Sequence, residues 1–281
     1  MWGKIGVAVS VIIMVLPFVL MVSGSLQSIV GVGAMVGSVM HVIPREVTFQ
    51  NYLDIAGTEM LWMMAVNSAI AVAGYIIPSI LVCGMLAYAL AYFEFRAKKA
   101  VFLAAMATMF VPASILIIPR YMAMKVLGLT GMPAVLAVGV FWAPGIFMMR
   151  NYFESIPASL RESAKIDGAG DWTIFRHVVL PLSRPLIGAA CVFQGISALG
   201  DYLWQMLNLT RPWQMTMLVG LYRSIYDRMS RQGRSGLSNY LANDFGYGLA
   251  VAIVIMLPSF VIFAMASKYF IGDLTMGGVK E

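Results

Sequence analysis

Charge is what this chain has least of. Among 281 residues, 19 are Lys or Arg and 13 are Asp or Glu, 11% together, where a soluble domain carries about 25%. Hydrophobic residues make up 60%, and the mean hydropathy is +0.84. So little polar surface cannot cover a water-soluble globule of this size, which excludes an ordinary soluble enzyme and a disordered chain. Cysteine is scarce as well. Cys83 and Cys191 both sit inside apolar runs and read as buried small residues, so a disulfide-stapled fold is excluded. His41 and His177 are far apart and no H-E-x-x-H occurs, which argues against zinc hydrolysis. No G-x-x-x-x-G-K-[ST] phosphate loop and no G-x-S-x-G nucleophile elbow is present. We therefore nominate no catalytic residue, no metal ligand and no cofactor held by this chain.

What is present is apolar length. Six stretches contain no Asp, Glu, Lys or Arg: 5–44, 60–93, 100–119, 126–149, 185–200 and 245–267. A helix needs about 20 apolar residues to cross the hydrocarbon of a bilayer. Five stretches meet that length directly. The one at 185–200 is short but continues through Asp201 to Leu207 in strongly apolar sequence. The expectation is an all-α polytopic membrane protein with six transmembrane helices, near 5–26, 66–93, 100–123, 132–150, 184–207 and 246–270. Barrel-type alternation is absent. The first run is longer than a signal-peptide core of about 7–15 residues, so a retained anchor is expected. The net charge of +6 fits basic residues flanking spans rather than nucleic-acid binding. The 23 methionines are scattered and read as packing filler.

The hairpin Glu94-Phe95-Arg96-Ala97-Lys98-Lys99 is short and basic, which places it in the cytoplasm and with it both termini. On this topology residues 1–62 hold the first helix and an outer loop. Residues 63–281 hold helices two to six, a cytoplasmic loop at 150–184 and an outer loop at 208–245. The first outer loop is glycine-rich (Gly31, Gly33, Gly37), and the second carries the basic run Arg223 to Arg234.

The 150–184 segment is unlike the rest of the chain. Nine charges fall there, four acidic and five basic. Pro157 suits a first helical turn. Ile156, Leu160 and Ala164 recur every four residues as an apolar stripe. Gly168 suits a left-handed helix end, and Asp171 a cap for a second helix carrying Trp172, Phe175, Val178 and Val179. Pro181 and Pro185 mark the return to the membrane. Acids mixed among bases do not form the one-sided basic face favoured by anionic lipid. A protruding knob that docks a soluble partner therefore stands beside an interfacial helix as a reading.

The run Glu162-Ser163-Ala164-Lys165-Ile166-Asp167-Gly168, followed by Val178-Val179-Leu180-Pro181, resembles the EAA loop of ABC-importer permeases. Ser163 stands where that pattern has alanine, and Val178 where it has isoleucine. The resemblance extends along most of the chain and is nearest to the MalG-like carbohydrate permeases of binding-protein-dependent transport. It takes in Thr48-Phe49-Gln50-Asn51-Tyr52, Asn67-Ser68, Ala87-Tyr88-Ala89-Leu90-Ala91, Leu127-Gly128-Leu129, Phe153-Glu154-Ser155-Ile156-Pro157 and the tail Gly272 to Lys280. On the fifth helix, relatives often carry Trp-Asn-Asp before an aromatic. Here the run is Leu199-Gly200-Asp201-Tyr202-Leu203-Trp204, and the 208–245 loop is longer than usual.

The resemblance implies a MetI-like, type I ABC-importer permease in the bacterial inner membrane. It also implies a second homologous permease subunit, two ATPase subunits that bind ATP and Mg, and an external binding protein. Glu162, Ser163, Ala164, Asp167, Gly168, Leu180 and Pro181 would couple the chain to an ATPase. Asp201, Tyr202 and Trp204 are candidates for the solute path. Asp201 also fits a purely structural polar partner, and both readings stand at this stage. The expected solute is a sugar or oligosaccharide. The alternatives are a glycerol phosphate ester or polyol in the same class of importer and, more distantly, a secondary transporter. The mid-membrane charges and repeats expected of the last are missing.

Overall fold

Long apolar runs without charge leave the backbone one way to satisfy itself in lipid, which is to hydrogen-bond within each helix. The computed structural model follows that rule. It describes residues 2–27, 47–231 and 245–276, and among them the β structure is a single isolated bridge between Gln27 and Val47. The helices are α1 (Trp2–Ser25), α2 (Gln50–Ala56), α3 (Leu61–Tyr92), α4 (Lys98–Ala107), α5 (Ile117–Val126), α6 (Met132–Gly139) and α7 (Ala143–Ser155). They continue with α8 (Ala158–Ile166), α9 (Asp171–Leu182), α10 (Arg184–Gly200), α11 (Tyr202–Asn208), α12 (Met217–Arg231) and α13 (Phe245–Met276). Gly31, Gly33, Gly37, His41, Arg234 and the last residues of the tail lie outside the described residues.

Four helical stretches are long and apolar enough to cross a membrane: Lys4–Ser25, Leu61–Tyr92, Met132–Ser155 and Phe245–Ser267. The pair α9 and α10, bent by 80°, makes a fifth if taken as one span. The four stretches meet four of the six expected positions, the one near 132–150 being broken at 140–142 between α6 and α7, and α10 covers the first part of the one expected at 184–207. The remaining one, near 100–123, is divided into α4 and α5. Its break has a local cause. Val111 precedes Pro112, whose ring disfavours helical backbone at the residue before it, and Val111 is extended at φ −92°, ψ 117°. The expected fifth span is also interrupted. α10 stops at Gly200, Asp201 takes φ −78°, ψ 65°, and α11 starts at Tyr202.

The chain forms two compact units, residues 1–65 with 215–258 and residues 66–214 with 259–281. In the first unit, residues 4–19 of α1 are exposed on every side, as suits a helix surrounded by lipid. The end of α1 is held by Asn51, whose Nδ2 donates to the carbonyls of Ser25 (2.9 Å) and Gln27 (3.1 Å). Leu221 and Ile225 of α12 pack on Ile55, Tyr247, Ala250 and Val251. Arg228 joins Asp54 at 2.6 Å and lies over the Tyr247 ring at 4.6 Å. Burial raises the Asp54 pKa, but the bonds from Arg228 and Gln50 outweigh it and hold the carboxyl below its ordinary value.

In the second unit, the C-terminal half of α3 packs with α4, α7, α9 and α10 around Cys83, Leu90, Ile146, Met149, Phe153 and Phe175. A smaller cluster holds Tyr75, Val135, Ala198, Trp204 and Leu209. The two candidate sites adjoin these two clusters.

Candidate functional site

The 150–184 segment folds as a helical hairpin, α8 and α9, joined at Gly168. The helix end is a Schellman motif. Ala169 N–H donates to Ala164 O (2.9 Å) and Gly168 N–H to Lys165 O (3.0 Å), with Gly168 at φ +80°. A Cβ built on Gly168 would meet nothing within 4 Å, so the demand for glycine comes from backbone conformation and not from space. Two local expectations shift by one position. Pro157 occupies the N-cap of α8, at φ −53° and ψ 129°, instead of its first turn. Gly170 is the N-cap of α9, so Asp171 lies in the first helical turn without capping by its side chain. A carboxylate there still favours the helix electrostatically. The middle of α9, Phe175–Val179, is π-helical.

Glu162, Ser163, Asp167 and Gly168 are exposed, while Ala164, Leu180 and Pro181 are half-buried. Ala164 and Ile156 pack against the cluster around Phe153 and Phe175, but Leu160 in the same expected stripe is exposed. Ile166 is 86% exposed and Trp172 57%, beside the acids Glu162 and Asp167. A mixed apolar and acidic tip of this kind is a surface that a second protein can bury.

Residues that the sequence pattern did not single out hold the hairpin in place. Tyr88 Oη donates to Asp171 Oδ1 at 3.4 Å, and the Tyr88 ring meets Phe175 edge-on at 5.4 Å. Tyr92 Oη donates to the Phe153 carbonyl. The Arg161 guanidinium lies 3.9 Å from the Tyr92 ring centroid. The available signal was the pair of tyrosines four apart at the end of an apolar run, one turn of helix from a charged loop.

The second candidate site lies at the Asp201 break. A cavity of about 430 Å³ is lined by residues that include Tyr75, Ser114, Arg120, Ser197, Asp201 and Trp204. Tyr75 Oη donates to Asp201 Oδ2 over a long 3.5 Å. Trp204 is buried and its Nε1 donates to the Ala134 carbonyl at 3.3 Å. The Arg120 guanidinium lies 5.6 Å from the Trp204 ring centroid. Of the three expected path residues, Asp201 and Trp204 line this cavity, whereas Tyr202 is half-buried outside the lining, where Leu203 takes part instead. Arg120 was not anticipated, because it terminates an apolar stretch and reads from sequence as a flanking charge.

Comparison with known proteins identifies the family. Residues 80–270 match the family described as binding-protein-dependent transport system inner membrane component. The galactooligosaccharides transport system permease protein GanQ of Bacillus subtilis is 31% identical, over 85% of this chain and 82% of that protein. The maltose/maltodextrin transport system permease protein MalG of Vibrio vulnificus is 31% identical over 76% of this chain and 71% of that one. The arabinooligosaccharides transport system permease protein AraQ of Halalkalibacterium halodurans is 27% identical over 84% and 81%. Among solved structures, a chain of a bacterial ABC transporter involved in import of the acidic polysaccharide alginate superposes with a TM-score of 0.76. It covers 95% of both chains at 24% identity, and the likeness establishes the shared fold.

Proposed function

Since this chain belongs to the family of binding-protein-dependent transport system inner membrane components, we propose that it is the permease subunit of an ATP-driven importer for a sugar or oligosaccharide. The observation that carries this reading is the Schellman-ended hairpin with its exposed Glu162, Ile166, Asp167 and Trp172. A rigid, exposed knob of this kind supports docking to an ATPase subunit. The names of the similar permeases, which concern arabino-, galacto- and malto-oligosaccharides, support the solute class.

In this reading an external binding protein delivers the solute and a second, homologous permease completes the path. Two ATPase subunits bind ATP and Mg beneath the membrane. Their closure pushes on α8, and the packing of Ala164, Tyr92 and Phe175 carries that push into α3 and α7. Glu162 and Asp167 supply charged contacts to the ATPase, Ser163 and Ala164 close approach, and Gly168 the turn. Leu180 and Pro181 fix the return of α9 toward α10. Asp201 and Trp204, with Tyr202 beside them, belong to the solute path. The chain lies in the inner membrane with both termini in the cytoplasm.

The test is co-purification with the ATPase subunits, together with binding-protein-dependent uptake in proteoliposomes. Cysteine at Ala97 should react with an impermeant thiol reagent only after the membrane is opened. Labelling of Ala97→Cys in sealed spheroplasts would reverse the orientation and remove the hairpin from the ATPase side.

A further inference from the structure

Irregular backbone at membrane depth is tolerated only where it is buried in protein or lines a water-filled cavity. Three of the expected spans break, at 111–116, at 140–142 and at Asp201, and the first and last of these breaks open on the same space. Ala113 and Ser114 come from the first, Gly200 and Asp201 from the last. Discontinuous transmembrane helices that converge in this way are how transport proteins build solute sites. The cavity's volume of about 430 Å³ lies within the range of about 300–1,000 Å³ typical of small-molecule sites.

The polar groups on its wall are complementary and only partly engaged with one another. Asp201 has a long bond from Tyr75, which leaves accepting capacity on the carboxylate. No hydrogen bond or ion pair among the described residues engages the Arg120 guanidinium, whose contact is with the face of Trp204. A guanidinium with a planar fork of N–H donors therefore lines the same space as a carboxylate acceptor. Ser114 and Ser197 add hydroxyls that act either way.

We propose that this cavity is a solute subsite selective for neutral polyhydroxyl sugars, with Arg120 donating to and Asp201 accepting from the solute's hydroxyl groups. The inference rests on the importer reading above and narrows its solute class. One fixed cation and one fixed anion on a common wall favour a neutral solute with many hydroxyls. A phosphate ester or a uronic acid gains at Arg120 but is repelled at Asp201, and a cationic solute suffers the reverse.

The experiment measures equilibrium binding of radiolabelled arabinotriose, galactotriose and maltotriose to the assembled importer in nanodiscs. The binding protein is omitted, so selection upstream does not enter. A galacturonate trisaccharide serves as the charged comparison. At least one neutral sugar should bind, Arg120→Gln should weaken it tenfold or more, and Arg120→Lys should fall between. Asp201→Asn should lower the preference for neutral over uronate sugar by tenfold or more, a ratio that loss of a merely structural contact would not move. Equal binding by wild type and both Arg120 variants would overturn the proposal, as would an unchanged preference in Asp201→Asn. Absence of any neutral-sugar binding would overturn it too. Uptake of the same sugars by the complete system with its binding protein would then still uphold the importer reading, and failure of both would sink both.

Discussion

The hairpin at 150–184 and the cavity at Asp201 put similar chemistry to opposite uses. In the hairpin, most charges are exposed and the fixed point is a backbone turn, so its shape follows from residues close in sequence. In the cavity, the charges are drawn from α5 and from the α10–α11 break, some 80 residues apart in the chain, and their meaning lies in facing one space. One is an exposed surface of the kind that a second protein can bury. The other is a hole built from two interruptions in apolar helices. The lesson is that a break in an apolar span carries as much functional information as a charged loop, provided that its partner break is known.

The largest effect that would sharpen this contrast is at Gly168. Gly168→Val places a β-branched residue at φ +80°, where left-handed backbone is strongly disfavoured. Uptake and solute-stimulated ATP hydrolysis should both be lost while the protein still inserts. Gly168→Ala, with open space around its Cβ, should retain partial activity, its cost being about 1–2 kcal/mol of backbone strain. Normal uptake by the valine variant at normal membrane levels would show that the hairpin turn is not the coupling element.

The anchor beneath the hairpin should matter less, and in a graded way. Tyr92→Phe removes the bond to the Phe153 carbonyl but keeps the ring under Arg161, for a loss of about 1 kcal/mol. Arg161→Gln removes the cation above the ring. Each should raise the ATP hydrolysed per sugar imported by a few-fold, and the pair together should be non-additive because they share one contact. Additive effects in a double-mutant cycle would break the link between hairpin and α3.

At the cavity, Asp201→Asn keeps the size and most of the hydrogen bonding, so uptake of the native solute should survive within a few-fold. Asp201→Leu leaves Tyr75 and Arg120 facing an apolar group and should lose uptake. Full uptake by the leucine variant would separate the cavity from transport altogether.

The smallest effect belongs to neither region and serves as a control. The Asp54 carboxyl is held below its ordinary pKa by Arg228 and Gln50. A depressed carboxylate stabilises the fold above its unfolded pKa of about 3.9, and that contribution is lost as pH falls through the lower folded value. Asp54→Asn should therefore melt slightly below wild type at pH 6, by at most about 1 kcal/mol. The difference should shrink below pH 4. A gap that does not shrink as the pH is lowered would show that packing, not charge, is responsible.

Much of this molecule follows from composition and spacing. The absence of charge in long runs selects membrane helices because lipid offers the backbone no partners. The pattern from Glu162 to Pro181 specifies the hairpin because helix ends, glycine turns and proline starts act over a few residues. Local rules also account for small misses, such as Asp171 in the first turn where a cap was expected, since Gly170 is itself an acceptable cap and a carboxylate favours the first turn. The tertiary structure decided where the apolar runs are interrupted and which side chains the interruptions bring together. It alone puts Arg120 over Trp204 and on one wall with Asp201, and Arg161 over Tyr92. Such pairs join distant segments through packing and desolvation, and a helix period repeating every few residues contains no term for them.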